Sequence, residues 1–240
     1  MDKTDFYNWH TGNSKLKTVD FYSAYLGYTY SKDICNASFE CFFNYTNNEV
    51  VKLVIPQTSL INLVKPENAA KESNTGIDMS LWLKLNGNFN FSVSSSIFHT
   101  FYDTRDITKT AALYDLTTDN LTKKEFGYNM KYNMEYKIKK FYAMFYVNYF
   151  SKELTFDGYN KAYINSSINI SRKFLKDKLR ITLGANNLFD DLAKHISYSN
   201  SFGVSSNTEM CDSKYKRLYT FSIQYTIGQG DRETKDLKVN

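Results

Sequence analysis

Apolar and polar residues alternate with a period of two along most of this chain. In the clearest stretch, 125–138, Phe126, Tyr128, Met130, Tyr132, Met134, Tyr136 and Ile138 alternate with Glu125, Gly127, Asn129, Lys131, Asn133, Glu135 and Lys137. That period puts one set on each face of a β-strand. The same pattern recurs at 18–30, 34–46, 74–85, 89–102, 141–152, 160–171, 179–190 and 215–227, giving nine long strands. In 179–190, Leu179, Ile181, Leu183, Ala185 and Phe189 share one parity, interrupted by Asn187, while Arg180, Thr182, Gly184 and Asn186 share the other. Strands in soluble sheets average about five or six residues. A tilted strand crossing a bilayer needs about 9–11.

The connections alternate in length. Short turns are expected near 31–33, 86–88, 139–140 and 173–178, the second carrying the Asn86-Gly87 hairpin signal. Longer loops are expected at 47–73, 103–123, 153–159 and 190–214, and 1–16 also reads as loop. A short strand at 50–55 within the first long loop is a candidate tenth strand. Short turns on one edge and long loops on the other are the asymmetry of an outer-membrane barrel, whereas a soluble sandwich gives no reason for it. The polar parity, rich in Asn, Ser, Thr, Lys and Glu, suits a wet lumen. The 38 Tyr and Phe residues (20 and 18) concentrate near strand ends, as interfacial girdles do.

Composition narrows the classes further. No apolar run approaches the roughly 18–20 residues of a membrane helix. The net charge of +5 is modest, and its basic clusters (Lys137, Lys139 and Lys140; Arg172, Lys173, Lys176 and Lys178) sit at strand ends rather than along a groove, which sets nucleic acid aside. Cys35, Cys41 and Cys211 form no CxxC, and the first two are too far apart on one strand to bridge each other within it. His10, His99 and His195 show no metal-ligand spacing. No Ser/His spacing picks out a nucleophile with its base, so no enzyme, catalytic residue, metal or cofactor is expected. The loop 191–209 is rich in aromatics and Asn and reads as solvated rather than sugar-stacking. The first residues lack an apolar signal region. The chain is therefore expected to be cytoplasmic, a mature product or a fragment.

Several stretches resemble the C-terminal barrel of TonB-dependent outer-membrane receptors. Leu179–Asp190 looks like that family's penultimate strand, which ends in an Asn-Leu-Phe-Asp motif, here Asn187, Leu188, Phe189 and Asp190. Residues 216–227 resemble its closing strand, where Arg217 precedes an alternating apolar run. Gly12-Asn13-Ser14-Lys15-Leu16-Lys17 looks like its Gly-Asn-Pro-x-Leu-Lys segment, with Ser14 in place of a proline. The Asn-rich 68–78 and the turn 172–175 look most like the plug-and-barrel proteins of Bacteroidota. The resemblance covers roughly 12–227.

The resemblance implies an all-β fold: an antiparallel up-and-down transmembrane β-barrel of about 9–10 strands, part of a larger barrel, over 1–227, with a charged tail at 228–240. It implies the outer membrane of a Gram-negative bacterium and uptake of a ligand such as an iron chelate, vitamin or glycan. The implied partners are outer-membrane lipid, the remainder of the barrel and a plug domain, with the TonB complex engaged only through that missing part. The alternative is a small stand-alone passive channel, porin-like. The ligand-binding residues are not legible.

Overall fold

The structure is a computed structural model that describes residues 7–58, 60–113, 121–189, 195–202, 204–210 and 217–227. The expected tail at 228–240 lies outside the described residues, as do Asp190 and Cys211. The elements are β1 (Asn8–His10), β2 (Asp20–Lys32), β3 (Cys35–Pro56), β4 (Asn62–Asn86), β5 (Phe89–Asp103), α1 (Ile107–Leu113), β6 (Thr122–Ile138), β7 (Phe141–Phe150), β8 (Glu153–Leu154), β9 (Gly158–Asn160), β10 (Tyr163–Phe174), β11 (Leu179–Asn186), β12 (His195–Ser201), β13 (Val204–Met210) and β14 (Leu218–Tyr225).

The nine long strands form one antiparallel sheet in the order β14-β11-β10-β7-β6-β5-β4-β3-β2. Each sequence-adjacent pair meets through a hairpin, so the wall is up-and-down. It is not closed: among the described residues, β2 and β14 each pair on one side only. Four tight turns fall at one end. Lys139 (φ 51°) and Leu175, Lys176 and Asp177 (φ 51°, 54° and 69°) take the left-handed conformation that turns this tight require.

The register sorts the side chains without exception along one row. Leu26 pairs with Cys41, Cys41 with Ile77, Ile77 with Ile97 and Ile97 with Tyr128. Across the other half, Phe145 pairs with Ile168, Ile168 with Ala185 and Ala185 with Tyr219. These positions share one apolar face. The opposite face carries Gly27, Glu40, Asp78, Ser96 and Asn129, again paired in sequence across the strands.

The long-loop end differs from expectation. Residues 47–73 are not a connection: β3 runs on to Pro56 and β4 begins at Asn62, leaving only 57–61 between them. The candidate tenth strand at 50–55 is the outer half of β3 itself. The sheet's tenth member is instead β1, in the stretch read as loop, which pairs parallel to β4 at residues 62–64. Pro66 is tolerated because β4 has no β5 beside it there; that pairing starts at Lys71. The 103–123 loop holds α1, and 153–159 holds β8 and most of β9. The 191–214 loop holds β12 and β13, which join β8 and β9 in a small four-stranded sheet.

A bulge explains why the outer half of β3 was hard to read. The ladder shifts between Thr46 and Glu49, where Asn48 has φ 56°. It shifts back between Glu49 and Val50, so an extra residue on β3 is answered by one on β4, and the pairs from Val50–Asn68 to Pro56–Asn62 keep the register of the wall. Val51, Leu53 and Ile55 keep the odd parity of Cys41 and Phe43, yet they are buried. With Leu63, Ala69, Ala70 and Ile107 they form the one hydrophobic core cluster of the described residues, against which Trp9, Leu121, Phe156 and Phe202 pack. Thus the protein-buried core sits at the long-loop end, as a cap on the wall.

Candidate functional site

The polar face of the wall forms a cleft of about 550 Å³. Glu40 and Asp78 lie directly opposite each other on β3 and β4. Gly27 on β2 leaves room for the Glu40 carboxylate: a Cβ there would sit 3.4 Å from Glu40 Oε2. Ser38 and Ser80 hydroxyls share a hydrogen bond of 2.7 Å one step along, and Asn129 and Lys131 of β6 complete the lining. Like charges opposite each other on neighbouring strands are unfavourable. Two carboxylates beside hydroxyls and one ammonium can accept hydrogen bonds from a hydroxyl-rich ligand or offset a cationic one.

Above the cleft, aromatic rings fill the same face. Phe42 lies over Gly76 and Phe98 over Gly127; a Cβ at these glycines would come within 2.7 Å and 2.5 Å of the rings. The row Tyr25, Phe42, Gly76, Phe98, Gly127 follows the strand pairing. Bare backbone at two of five positions leaves room for the rings. Phe98 is buried.

Where wall meets cap, acidic groups gather. Burial raises the Glu49 carboxyl above its ordinary pKa, and Glu72 adds to that. Burial also raises Glu72, against the pull of its hydrogen bond with Tyr102, and Glu153 adds to the rise. Tyr102 is itself pushed upward, first by burial and then by Glu72 and Glu49. Nearby, the Asp103 carboxyl accepts bonds from Arg105 Nε (2.9 Å) and Nη2 (2.6 Å), which hold it down to about 2.

The motif residues form a latch, not a pocket. β11 ends at Asn186, short of the expected 190. Asn187 turns the chain with φ 53°, and its N–H donates to the Ser166 carbonyl at 2.8 Å. The Leu188 N–H donates to Ser166 Oγ at 3.0 Å, and Arg217 Nη2 donates to the Leu188 carbonyl at 2.9 Å. Ser166 is almost fully buried. Asn187, Leu188 and Arg217 thereby tie the outer ends of β10, β11 and β14 together. Phe189 is half exposed. The Gly12–Lys17 segment has a related role. Asn13 Nδ2 donates to the Pro66 carbonyl (3.1 Å), and Asn68 accepts from the Lys17 N–H (2.6 Å) while donating to the Asn48 carbonyl (2.6 Å). Sequence reasoning missed Glu40, Asp78 and the glycine seats. Their signal was present in the polar parity, but only strand register shows which residues meet.

The family model described as "Outer membrane protein beta-barrel family" matches residues 1–225. No curated protein matches the sequence. Among solved structures, the chain is similar to "Copper transporter OprC" (11% identity, TM-score 0.58), with 88% of this chain and 32% of that one covered. It is also similar to "The FrpB iron transporter from Neisseria meningitidis (F3-3 variant)" (15% identity, TM-score 0.52), with 90% and 32% covered. The chain thus spans about a third of the length of the structures it matches.

Proposed function

Because this chain belongs to the outer membrane protein β-barrel family, and so resides in the outer membrane of a Gram-negative bacterium, we propose that it forms the C-terminal wall segment of a TonB-dependent-receptor-like uptake protein. The apolar face then meets lipid and the polar face lines the passage. The short turns point to the periplasm and the cap stands outside, as barrel asymmetry dictates. The observation that carries the reading is the open sheet. Nine long strands run in one up-and-down order, with edges at β2 and β14 that pair no further strand among the described residues. An unpaired edge in lipid costs several kcal/mol for each backbone group left unsatisfied, so these edges call for further strands of a larger barrel. A plug domain and the TonB complex would engage through that remainder. The Glu40–Asp78 cleft supports a cargo that is cationic or rich in hydroxyls, such as a metal chelate or a glycan, and the Asn-rich stretch supports a Bacteroidota-like relative.

The test is to refold the purified chain in detergent and lipid, then record heat-modifiable gel mobility and planar-bilayer conductance. The expected result is no uniform conductance. A compact, heat-modifiable monomer with ligand-selective conductance would replace this reading with a stand-alone channel.

A further inference from the structure

The two ends of the wall treat their cations differently. At the long-loop end positive side chains have carboxylate partners: Lys65–Glu67, Lys71–Asp106, Arg105–Asp103 and Lys152–Glu125. Among the described residues no ion pair joins a cation of the short-turn end. Yet that end is the more basic. The 139–140 turn and the 175–178 turn are neighbours, because β7 pairs with β10. The Lys173 N–H donates to the Lys140 carbonyl at 3.0 Å, closing one turn onto the other. Lys139, Lys140, Lys173, Lys176 and Lys178 crowd there against a single acid, Asp177.

Arg172 stands at the centre of this group, on the apolar face. Its strand partners are Phe141 and Ile181. The guanidinium carbon lies 4.7 Å from the Phe141 ring and 4.8 Å from the Phe174 ring. Two rings fix the cation through its faces, which leaves the N–H edge open for a planar, bidentate acceptor. Beside it Leu175 exposes an apolar side chain at 62%. Apolar residues and cations at one strand end match the boundary between acyl chains and headgroups.

We propose that Arg172 and the two lysine turns beside it hold the phosphate of an anionic phospholipid in the periplasmic leaflet. The inference rests on the orientation given under Proposed function. The guanidinium takes the phosphate oxygens, the lysines supply the remaining positive field, and Phe141, Phe174 and Leu175 border the acyl chains. The lipid then provides the counter-charge that the protein withholds at this end.

The test uses the full-length protein that carries this chain, purified in detergent and examined by native mass spectrometry with phosphatidylglycerol, phosphatidylcholine or inorganic phosphate. Phosphatidylglycerol should be retained in preference to phosphatidylcholine. Arg172→Gln should weaken that retention about fivefold, and the double variant Lys139→Gln/Lys140→Gln, which keeps Arg172, by more than fivefold, since each cation near an anionic surface contributes about 1 kcal/mol. Lys124→Gln, exposed at the opposite end, should change nothing. Equal retention of the two lipids, or unaltered retention in both the Arg172 and the lysine variants, overturns the proposal. Displacement of phosphatidylglycerol by an equal concentration of inorganic phosphate reassigns the site to a free anion and also overturns it. Heat-modifiable mobility of each variant reports separately whether the barrel is intact, so failure of the barrel reading and failure of this site are told apart.

Discussion

Wall and cap share two strands, β3 and β4, and they use apolar residues in opposite ways. In the wall, Leu26 is 78% exposed and Leu183 59%; in the cap, Leu53 and Ile55 are fully buried. The wall leaves its apolar side chains facing outward because lipid, not protein, covers them. Hydrogen bonding along the ladder, and not side-chain burial against other elements, therefore holds it together. The cap stands in water and needs a core like any small soluble domain. A paired irregularity, one extra residue on each of β3 and β4, marks the boundary between the two arrangements.

Removing that bulge should have the largest effect. Deleting Asn48 removes one residue from β3 while β4 keeps its matching extra one, so the pairs from Val50–Asn68 to Pro56–Asn62 lose their register and Val51, Leu53 and Ile55 leave their buried positions. Three aliphatic side chains at about 1.5–3 kcal/mol each amount to roughly 5 kcal/mol or more, enough to unfold the cap. Trp9, packed on the core, reports it: its fluorescence should shift to that of water-exposed indole in a Trp82→Phe background, while heat-modifiable mobility of the wall persists. Simultaneous loss of both signals would show that wall and cap are one cooperative unit.

Next come two substitutions that should split the regions. Leu53→Ala empties a fully buried site and should cost about 2–5 kcal/mol, read as a lower denaturant midpoint for Trp9 with the wall unchanged. Leu183→Arg should cost about 2–4 kcal/mol if it lies near the bilayer midplane, and Thr182→Arg, on the polar face, little. Refolding yield into vesicles measures the difference; equal penalties at 182 and 183 would contradict the face assignment.

The smallest effect concerns pH. Glu49 and Glu72 have raised pKa values in the folded junction, so the folded state binds their protons more tightly than the unfolded chain. Their neutral forms favour folding below the ordinary carboxylate pKa near 4.5, and that contribution is lost as pH rises through the raised values. The Trp9 denaturation midpoint should fall as pH goes from 4 to 7, and Glu72→Gln should flatten the slope. An unchanged slope in the variant would remove Glu72 from the account.

Legibility followed the same division. All nine wall strands are readable, because lipid on one side and water on the other impose clean alternation, and the turns at Gly87 and Lys139 carry their own signals. The cap half of β3 and β4 is not. The irregularity at Asn48 interrupts the pattern, Pro56 and Pro66 look like breaks, and Glu67, Asn68 and Lys71 dilute the apolar set. The strands β8 and β9 are too brief to show a period, and β12 and β13 carry too few apolar residues to show one. The motif around Asn187 was recognisable, but its latch was not, since Ser166 lies on a different strand and nothing in its own sequence context marks it. Glu40 and Asp78 are 38 positions apart, and only the β3–β4 register makes them neighbours.

The continuity of β3 and β4 has a mechanical consequence. Each runs unbroken from the short-turn end, along the wall, to a tip at 57–61, the two coupled rung by rung except at the bulge. Such a paired ribbon is stiff against bending but compliant where rungs are missing. A load applied to the tip is therefore carried down the paired strands to the rung at Asn48. There Glu49 Oε2 is enclosed without a hydrogen-bond partner, while Asn68 Nδ2 donates to the Asn48 carbonyl at 2.6 Å and Asn48 Nδ2 to Asp20 Oδ2 at 3.3 Å. The load is thus shared with β2, which Asp20 opens, before it reaches the rest of the wall.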